Sequence, residues 1–76
     1  MTEAVPHEER YDNGKLKLTG AHLKGDMHGP WSFYRRDGSL MRSGSFHRGR
    51  QVGLWRTYDR SGQVIKETVF PAMPTS

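Results

Sequence analysis

The sequence predicts an all-β fold assembled from copies of a 24-residue unit. Trp31 and Trp55 are separated by 24 residues, and Gly14, Gly38 and Gly62 recur at the same interval. A fixed interval of this length is typical of repeat architectures, in which a small unit buries its apolar face only against its neighbours. No segment has apolar residues at a sustained 3.6-residue spacing, so we expect no helix outside the chain ends.

Each unit contains the signals of a β-hairpin. The pairs Asn13-Gly14 and Asp37-Gly38 predict tight turns, because Gly and Asn tolerate the positive φ that such turns need, and Ser61-Gly62 is a weaker third copy. Short runs rich in aromatic and β-branched residues flank these turns, as strands prefer. The units are 5–28, 29–52 and 53–76, and strands are predicted near 8–12, 15–23, 30–35, 39–47, 54–58 and 63–70.

The even period keeps each column of equivalent residues on one face of the predicted sheet. One face is predicted to carry Leu16/Leu40/Val64, His22/Phe46/Phe70 and Gly20/Gly44/Thr68. The more polar opposite face is predicted to carry Thr19/Ser43/Glu67 and Ala21/Ser45/Val69. Glycine costs conformational entropy in a strand, so we expect Gly20 and Gly44 to make room for a large ring such as Trp31 or Trp55.

The pattern divides the chain into three parts. Residues 1–9 are predicted to be a leader with an eroded first strand, because Pro6-His7 stands where Pro30-Trp31 stands one unit later. Residues 10–70 are the predicted repeat domain. Residues 71–76 are a predicted tail, since prolines continue a strand ladder poorly, and Met73 is expected to fold over the last hairpin.

Composition narrows the class of protein. The chain of 76 residues has no cysteine, no apolar run of the roughly 18–20 residues that span a membrane, and an acidic start unlike a signal peptide. We therefore expect a soluble, cytoplasmic protein. Residues 10–66 hold all 12 Lys and Arg but only four acids. This basic middle indicates an anionic partner (an acidic protein face, anionic lipid or nucleic acid), although ordinary solvated surface charge explains it equally well.

No residue set has the pattern of a catalytic or metal centre. Gly44 and Gly49 have P-loop spacing, but Arg50 follows instead of lysine, and the repeat explains the interval. The four histidines lack the spacing of a zinc site, the acids do not form an acid–base pair, and the serines lack a nucleophile elbow. We expect no enzyme activity, no metal and no cofactor. The histidines are His7, His22, His28 and His47.

The two later units resemble MORN repeats, in particular a bacterial variant. The residues that carry the resemblance are Gly29, Trp31, Tyr34, Gly38, Leu40, Phe46, Gly49 and Gly53, followed by Trp55, Tyr58, Gly62 and Val64. It covers roughly residues 10–70, and the first copy departs from it with His7 for Trp and Arg10 at the Tyr position. The resemblance implies a single-layer, twisted antiparallel meander of hairpins. It also implies non-catalytic roles: protein contact, dimerisation, contact with acidic phospholipids, or an antitoxin component.

Three sets of residues are assigned roles from the sequence. The predicted repeat core is Trp31, Tyr34, Leu40, Phe46, Trp55, Tyr58, Val64 and Phe70. The predicted structural glycines are Gly14, Gly25, Gly29, Gly38, Gly44, Gly49, Gly53 and Gly62. The predicted partner-binding residues are Phe33, Arg35, Arg36, Arg42, Arg48, Arg50, Arg56 and Arg60. Arg36 and Arg60 of this last set form a row of cations at the repeat interval, and Arg48 forms a second row with Lys24, which lies outside the set. Such rows suit carboxylate or phosphate partners.

The favoured function is a non-enzymatic module that binds a protein partner or a second copy of itself by edge pairing, an antitoxin-like neutraliser being one version. The alternative is peripheral binding to anionic phospholipid through the cation rows. Nucleic-acid binding ranks third, because the aromatic residues that could stack on bases are expected to be needed for the core, with Phe33 the exception.

Overall fold

The structure, a computed structural model, describes residues 4–71 and forms one antiparallel sheet there. Its strands are β1 (Val5–Arg10), β2 (Leu16–Leu23), β3 (Asp26–Met27), β4 (Gly29–Tyr34), β5 (Leu40–His47), β6 (Arg50–Tyr58) and β7 (Val64–Phe70). They lie in the order β1-β2-β4-β5-β6-β7, and β3 pairs with the end of β2. The all-β meander of hairpins is therefore confirmed. The sheet measures 39 × 26 × 14 Å, the thickness of one layer, and the described part contains no helix capable of crossing a membrane.

The strand bounds differ from the prediction at two places. β1 begins at Val5, three residues earlier than predicted, so most of the predicted leader pairs with β2. β6 begins at Arg50 and not near 54, and in the preceding unit β3 and β4 together occupy the positions of β6. His28 interrupts them where Val52 continues the strand. The division of the chain into a leader, a repeat domain and a tail at residues 9 and 70 stays a prediction. The predicted packing of Met73 over the last hairpin concerns a residue outside the described ones.

Two kinds of turn join the strands. In the first kind, Gly14 N–H donates to Tyr11 O (3.0 Å) and Tyr11 N–H donates to Lys15 O (2.8 Å), and the same bonds recur at 35–39 and 59–63. In the second kind, both central residues have positive φ: Lys24 (52°) with Gly25, and Arg48 (50°) with Gly49. Positive φ at both positions defines the type I′ hairpin turn, whose twist matches that of the strands. The sequence signals for the turns therefore correspond to real hairpins.

One predicted column lies on the wrong face. In β4 and β5, Phe33 is opposite Arg42 but Tyr34 is opposite Leu40, so Met41 is an extra residue. Such a bulge reverses the alternation of side chains beyond it. Lys17 and Ile65 are extra in the same way in β2 and β7. The prediction was therefore wrong for Leu16, Leu40 and Val64, which lie on the face of Tyr34 and Tyr58.

Two tryptophans form the core of the sheet. Trp31 and Trp55 are 2% and 3% exposed, and each ring lies across a glycine of the preceding hairpin. A Cβ added to Gly20 would lie 2.0 Å from Cδ2 of Trp31, and one added to Gly44 would lie 2.1 Å from Cδ2 of Trp55. Each indole N–H donates to a carbonyl of the strand beneath it at 3.1 Å, Trp31 to Ala21 and Trp55 to Ser45. The predicted role of these two glycines is confirmed.

An aromatic row crosses the face that carries the tryptophans, called the indole face from here on. Neighbouring rings in the row meet edge to face, with centroids 4.7–6.3 Å apart and interplanar angles of 74–84°. This geometry suits the ring quadrupoles and adds to the energy of burial. The row consists of His7, His22, Trp31, Phe46, Trp55 and Phe70. The opposite face carries Tyr34 and Tyr58 and is called the tyrosine face.

Candidate binding surfaces

The predicted cation row of Arg36 and Arg60 is neutralised within the chain. Arg36 pairs with Asp12, and Arg60 Nε lies 3.2 Å from Asp37 Oδ2. Each arginine therefore reaches back to a carboxylate of the preceding hairpin turn. Pairs this exposed contribute little to stability, but they lower the charge that this row presents to a partner.

Arg35 acts as a brace between turns. Its Nη2 donates to Tyr58 O at 2.6 Å and its Nη1 to Leu40 O at 3.2 Å. One unit earlier, the Tyr11 hydroxyl donates to Tyr34 O at 2.7 Å. The side chain at this repeat position thus satisfies a backbone carbonyl of the following repeat. The structure gives Arg35 a structural contact, and its predicted role in partner binding is untested.

Arg56 is also paired. Its Nε donates to Glu67 Oε2 at 3.0 Å across β6 and β7 on the tyrosine face. The hydrogen bond to this carboxylate raises the pKa of Arg56 above its ordinary value, so the guanidinium is charged at any physiological pH.

A shallow basic cleft opens on the indole face beside the last strand. The Arg42 guanidinium lies 5.1 Å from the ring centroid of Phe33 and 5.5 Å from that of Trp55, within the range of cation–π attraction. Phe33 itself lies between Trp31 and Trp55, so it is part of the packed face and not a free platform. The cleft has a volume of about 260 Å³ and is lined by Arg42, Gln51, Trp55, Thr57, Lys66, Thr68 and Phe70.

The outer edge of β7 borders this cleft and carries exposed apolar side chains. Among residues 4–71, β7 pairs with β6 alone, so no described residue pairs with the backbone groups of its other edge. Val69 is 77% exposed and Ile65 62% exposed, and Leu54 lies exposed directly opposite Val69 on the tyrosine face. An edge that is long and apolar is a template for pairing with another strand.

A second basic region lies at the two type I′ turns. Lys24, Arg48 and Arg50 form no ion pair with any residue of 4–71. Behind them, the rings of His28 and His47 are 5.2 Å apart, and a hollow of about 300 Å³ is lined by Leu23, Lys24, Asp26 and Arg48. Of the predicted cation rows, Lys24 with Arg48 is the one that forms no ion pair within the part of the chain that the structure describes.

Pairing at a sheet edge was predicted, but the residues of the β7 edge were not among the predicted binding residues. Ile65 could not be recognised as an outward bulge residue, because the bulge is set by the turn and not by a residue type. One signal was present in the sequence: Thr68 breaks the column of Gly20 and Gly44. For nucleic-acid binding, the third function considered from the sequence, Trp31 and Trp55 are too buried to stack on bases.

The comparisons with known proteins agree with the repeat geometry. The family model of the MORN repeat variant matches residues 51–70, which span most of β6 and all of β7. The matched repeat is a binding repeat and not an enzyme family. No curated protein and no solved structure matches the chain. The hairpin that offers the open edge is therefore also the hairpin with the family pattern.

Proposed function

We propose that this protein is a non-enzymatic binding module that captures an extended segment of a protein partner along the outer edge of β7. The observation that carries this proposal is the edge itself: seven residues of strand, paired on one side only by the part of the chain that the structure describes, with Val69 77% exposed. Backbone hydrogen bonds along an edge supply affinity, and side chains at alternate positions supply specificity.

The two faces beside the edge define the partner's chemistry. On the indole face, Arg42 and Lys66 line the basic cleft, so the partner strand carries an acidic side chain there. On the tyrosine face, the exposed Val69 and Leu54 favour an apolar side chain. The partner is therefore a strand that alternates acidic and apolar residues. Neutralising a bacterial toxin by covering its surface, as an antitoxin does, is one version of this function.

The proposal is tested with displayed random heptapeptides selected on the full chain. Val69→Lys serves for counter-selection, because a lysine on an edge strand discourages pairing. Thr19→Lys, on the tyrosine face of β2 away from the edge, is the matched control. We expect the selected peptides to alternate acidic and apolar residues, to bind the control, and to shift amide resonances of Val64–Phe70 on titration. Shifts centred on another surface, or no enrichment, would contradict the proposal.

A second candidate function, peripheral binding to anionic membrane, is favoured by the unpaired cations at the type I′ turns. Lys24 and Arg48 occupy equivalent turns of successive hairpins and therefore face the same side of the molecule. Each cation near an anionic surface contributes about 1 kcal/mol. The test is co-sedimentation with phosphatidylserine vesicles and with neutral vesicles. Salt-sensitive pelleting with the anionic vesicles alone, lost in Lys24→Gln/Arg48→Gln, supports it. Equal pelleting with both kinds rejects it.

A further inference from the structure

We propose that the strand captured at the β7 edge is β1 of a second copy of this chain, so that copies join head to tail and continue one sheet. This inference rests on the proposed function and names its partner. It is carried by the repeat equivalence of the strands, by the sizes of two side chains, and by charge.

The repeat makes the two free edges complementary. β1 occupies the repeat positions of β4 and β6, and β7 occupies those of β2 and β5. Within the chain, β2 pairs with β4 and β5 pairs with β6. Pairing of β7 with β1 of a second copy therefore forms the same interface a third time, without the covalent turn. Pro6 is compatible with this, because its equivalent Pro30 lies in the interior strand β4.

Side-chain size at the junction supports this partner. Trp31 lies over Gly20 and Trp55 over Gly44, and neither position can accept a Cβ. The third position of the column is Thr68, which does carry a Cβ, so a tryptophan cannot lie over it. The residue at the tryptophan position of β1 is His7, whose ring is smaller. Thr68 on the β7 edge is larger than the glycine it replaces, and His7 on the β1 edge is smaller than the tryptophan it replaces, so the two changes compensate.

Charge supports the same register. Applying the β5·β6 pairing, in which Arg42 is opposite Thr57, places Lys66 of one copy opposite Glu9 of the next. These opposite charges meet on the indole face beside the cleft. The Glu9 carboxylate also lies 2.9 Å from His7 Nε2 in its own chain, and the contact with Lys66 adds to this one. The same register places Glu67 directly opposite Glu8, and each of these carboxylates has a cation partner in its own chain, Arg56 at 3.0 Å and Arg10 at 2.9 Å.

Two central registers of a symmetric pairing of β7 with β7 are disfavoured by charge. A two-fold axis at Lys66 places two lysines opposite each other, and one at Glu67 places two glutamates opposite each other; like charges directly opposite are destabilising. The head-to-tail contact is heterologous, so a dimer keeps one β7 edge and one β1 edge to which further copies add, until the sheet closes into a ring or extends as a filament. Association therefore continues beyond the dimer as concentration rises.

The decisive experiment exchanges the two residues at the junction and measures association by sedimentation velocity over a concentration series. His7→Trp creates a clash with Thr68 of the next copy, and we expect association at least about tenfold weaker. Thr68→Gly leaves a gap under His7 and weakens association by less. The double variant rebuilds the contact of tryptophan over glycine and restores association to the wild-type level or above. An equimolar mixture of the two single variants forms a complex at concentrations where His7→Trp alone is monomeric.

Circular dichroism of each variant checks the fold. The pair Glu9→Lys and Lys66→Glu provides a second test, which reverses charge at the junction. Here each single variant weakens association, and the double variant restores it. A wild-type chain that stays monomeric to about 1 mM, or a His7→Trp chain that associates like the wild type, overturns the head-to-tail inference. Selected heptapeptides that still shift the β7 amides then leave the proposed binding function standing, whereas their failure removes both.

Discussion

At the scale of single residues, two contacts of tryptophan over glycine hold the sheet together. A single-layer sheet has no second layer to cover its apolar face, and here each indole is covered instead by its own sheet and by neighbouring rings of the aromatic row. The ring is nearly in contact with the backbone of the preceding hairpin, which is possible only where the side chain is absent. The tryptophans therefore link one repeat to the next as well as filling the core.

Gly44→Ala tests this contact. The added methyl group would lie 2.1 Å from the Trp55 ring, so either the ring or the strand must move. We expect the free energy of unfolding to fall by about 1–3 kcal/mol, as overpacking of a filled site does, measured by urea denaturation at low protein concentration. Thr68→Ala, in the same column but without an indole above it, is the control and costs little. Equal stability of Gly44→Ala and wild type would mean that the indole does not lie over this position.

The turn carboxylates predict a pH dependence of stability. The Ser61 hydroxyl and the backbone N–H of Gln63 donate hydrogen bonds to the Asp59 carboxylate. These bonds lower the pKa of Asp59 from its ordinary value of 3.8. The folded state thus favours the ionised form, and its contribution is present above that value and is lost as pH falls through the lower folded pKa. In Asp59→Asn, which keeps an oxygen acceptor but does not titrate, stability falls less between about pH 6 and pH 2.5.

The measurement is urea denaturation of both proteins at the two pH values. Asp26→Asn is the control, because the Asp26 carboxylate makes no hydrogen bond or ion pair within residues 4–71. This variant is expected to follow the wild-type pH dependence. An Asp59→Asn protein that loses as much stability in acid as the wild type would show that the turn carboxylate does not couple to folding.

At the scale of elements, the type I′ turns contain strain that can be removed. Arg48 has a φ of 50°, a left-handed conformation that costs an ordinary residue about 1 kcal/mol or more and that asparagine tolerates. We expect Arg48→Asn to raise the free energy of unfolding by about 0.5–1 kcal/mol in thermal or urea denaturation. Arg50→Asn, at the start of β6 without positive φ, is the control and does not stabilise. A destabilised Arg48→Asn protein would contradict the turn geometry.

Much of the element pattern could be predicted, because turns and strand faces depend on local chemistry. Gly38 could be predicted as a turn residue because the turn needs a positive φ. Gly44 could be predicted as an indole contact because the Trp55 ring leaves no room for a Cβ there. The bulges could not be predicted: Met41 and Ile65 resemble ordinary strand residues, and only the paired strand reveals that one residue is extra. The faces predicted for Leu40 and Val64 were wrong for that reason.

The candidate site was predictable only in part, because charge pairing depends on which repeats become neighbours. Arg36 and Arg60 are a row of cations in the sequence, but their neutralising partners belong to a different unit. Arg42 was among the predicted binding residues and does border the basic cleft. The exposure of Val69 depends on its strand being the last in the sheet, and sheet order is a property of the whole fold.

At the scale of the whole molecule, each strand is stabilised mainly by its immediate neighbours. In such a quasi-one-dimensional fold, stability is a sum of units and of the interfaces between them. These interfaces are unequal here. The ladder between β5 and β6 has five registered pairs, whereas β2 has two with β4 and two more with β3, which occupies the start of the same repeat position. The missing pair is at His28, whose N–H donates to Ala21 O at 3.0 Å but which interrupts the strand, whereas the equivalent Val52 pairs with Ser45.

This inequality predicts that the sheet opens first between β2 and β4. In native-state hydrogen exchange at low protein concentration, amides of β1 and β2 are expected to exchange together, at a free energy below that of β5 and β6. Trp31 spans the weak interface, so Trp31→Phe, which removes the indole bond to Ala21, is expected to widen the difference. Trp55→Phe is the matched control, because it acts on the longer β5·β6 interface and lowers protection of β5 to β7 instead. A single exchange free energy shared by every strand, unchanged in pattern by either substitution, would mean that the sheet unfolds as one unit and that the register between β2 and β4 is not its weak point.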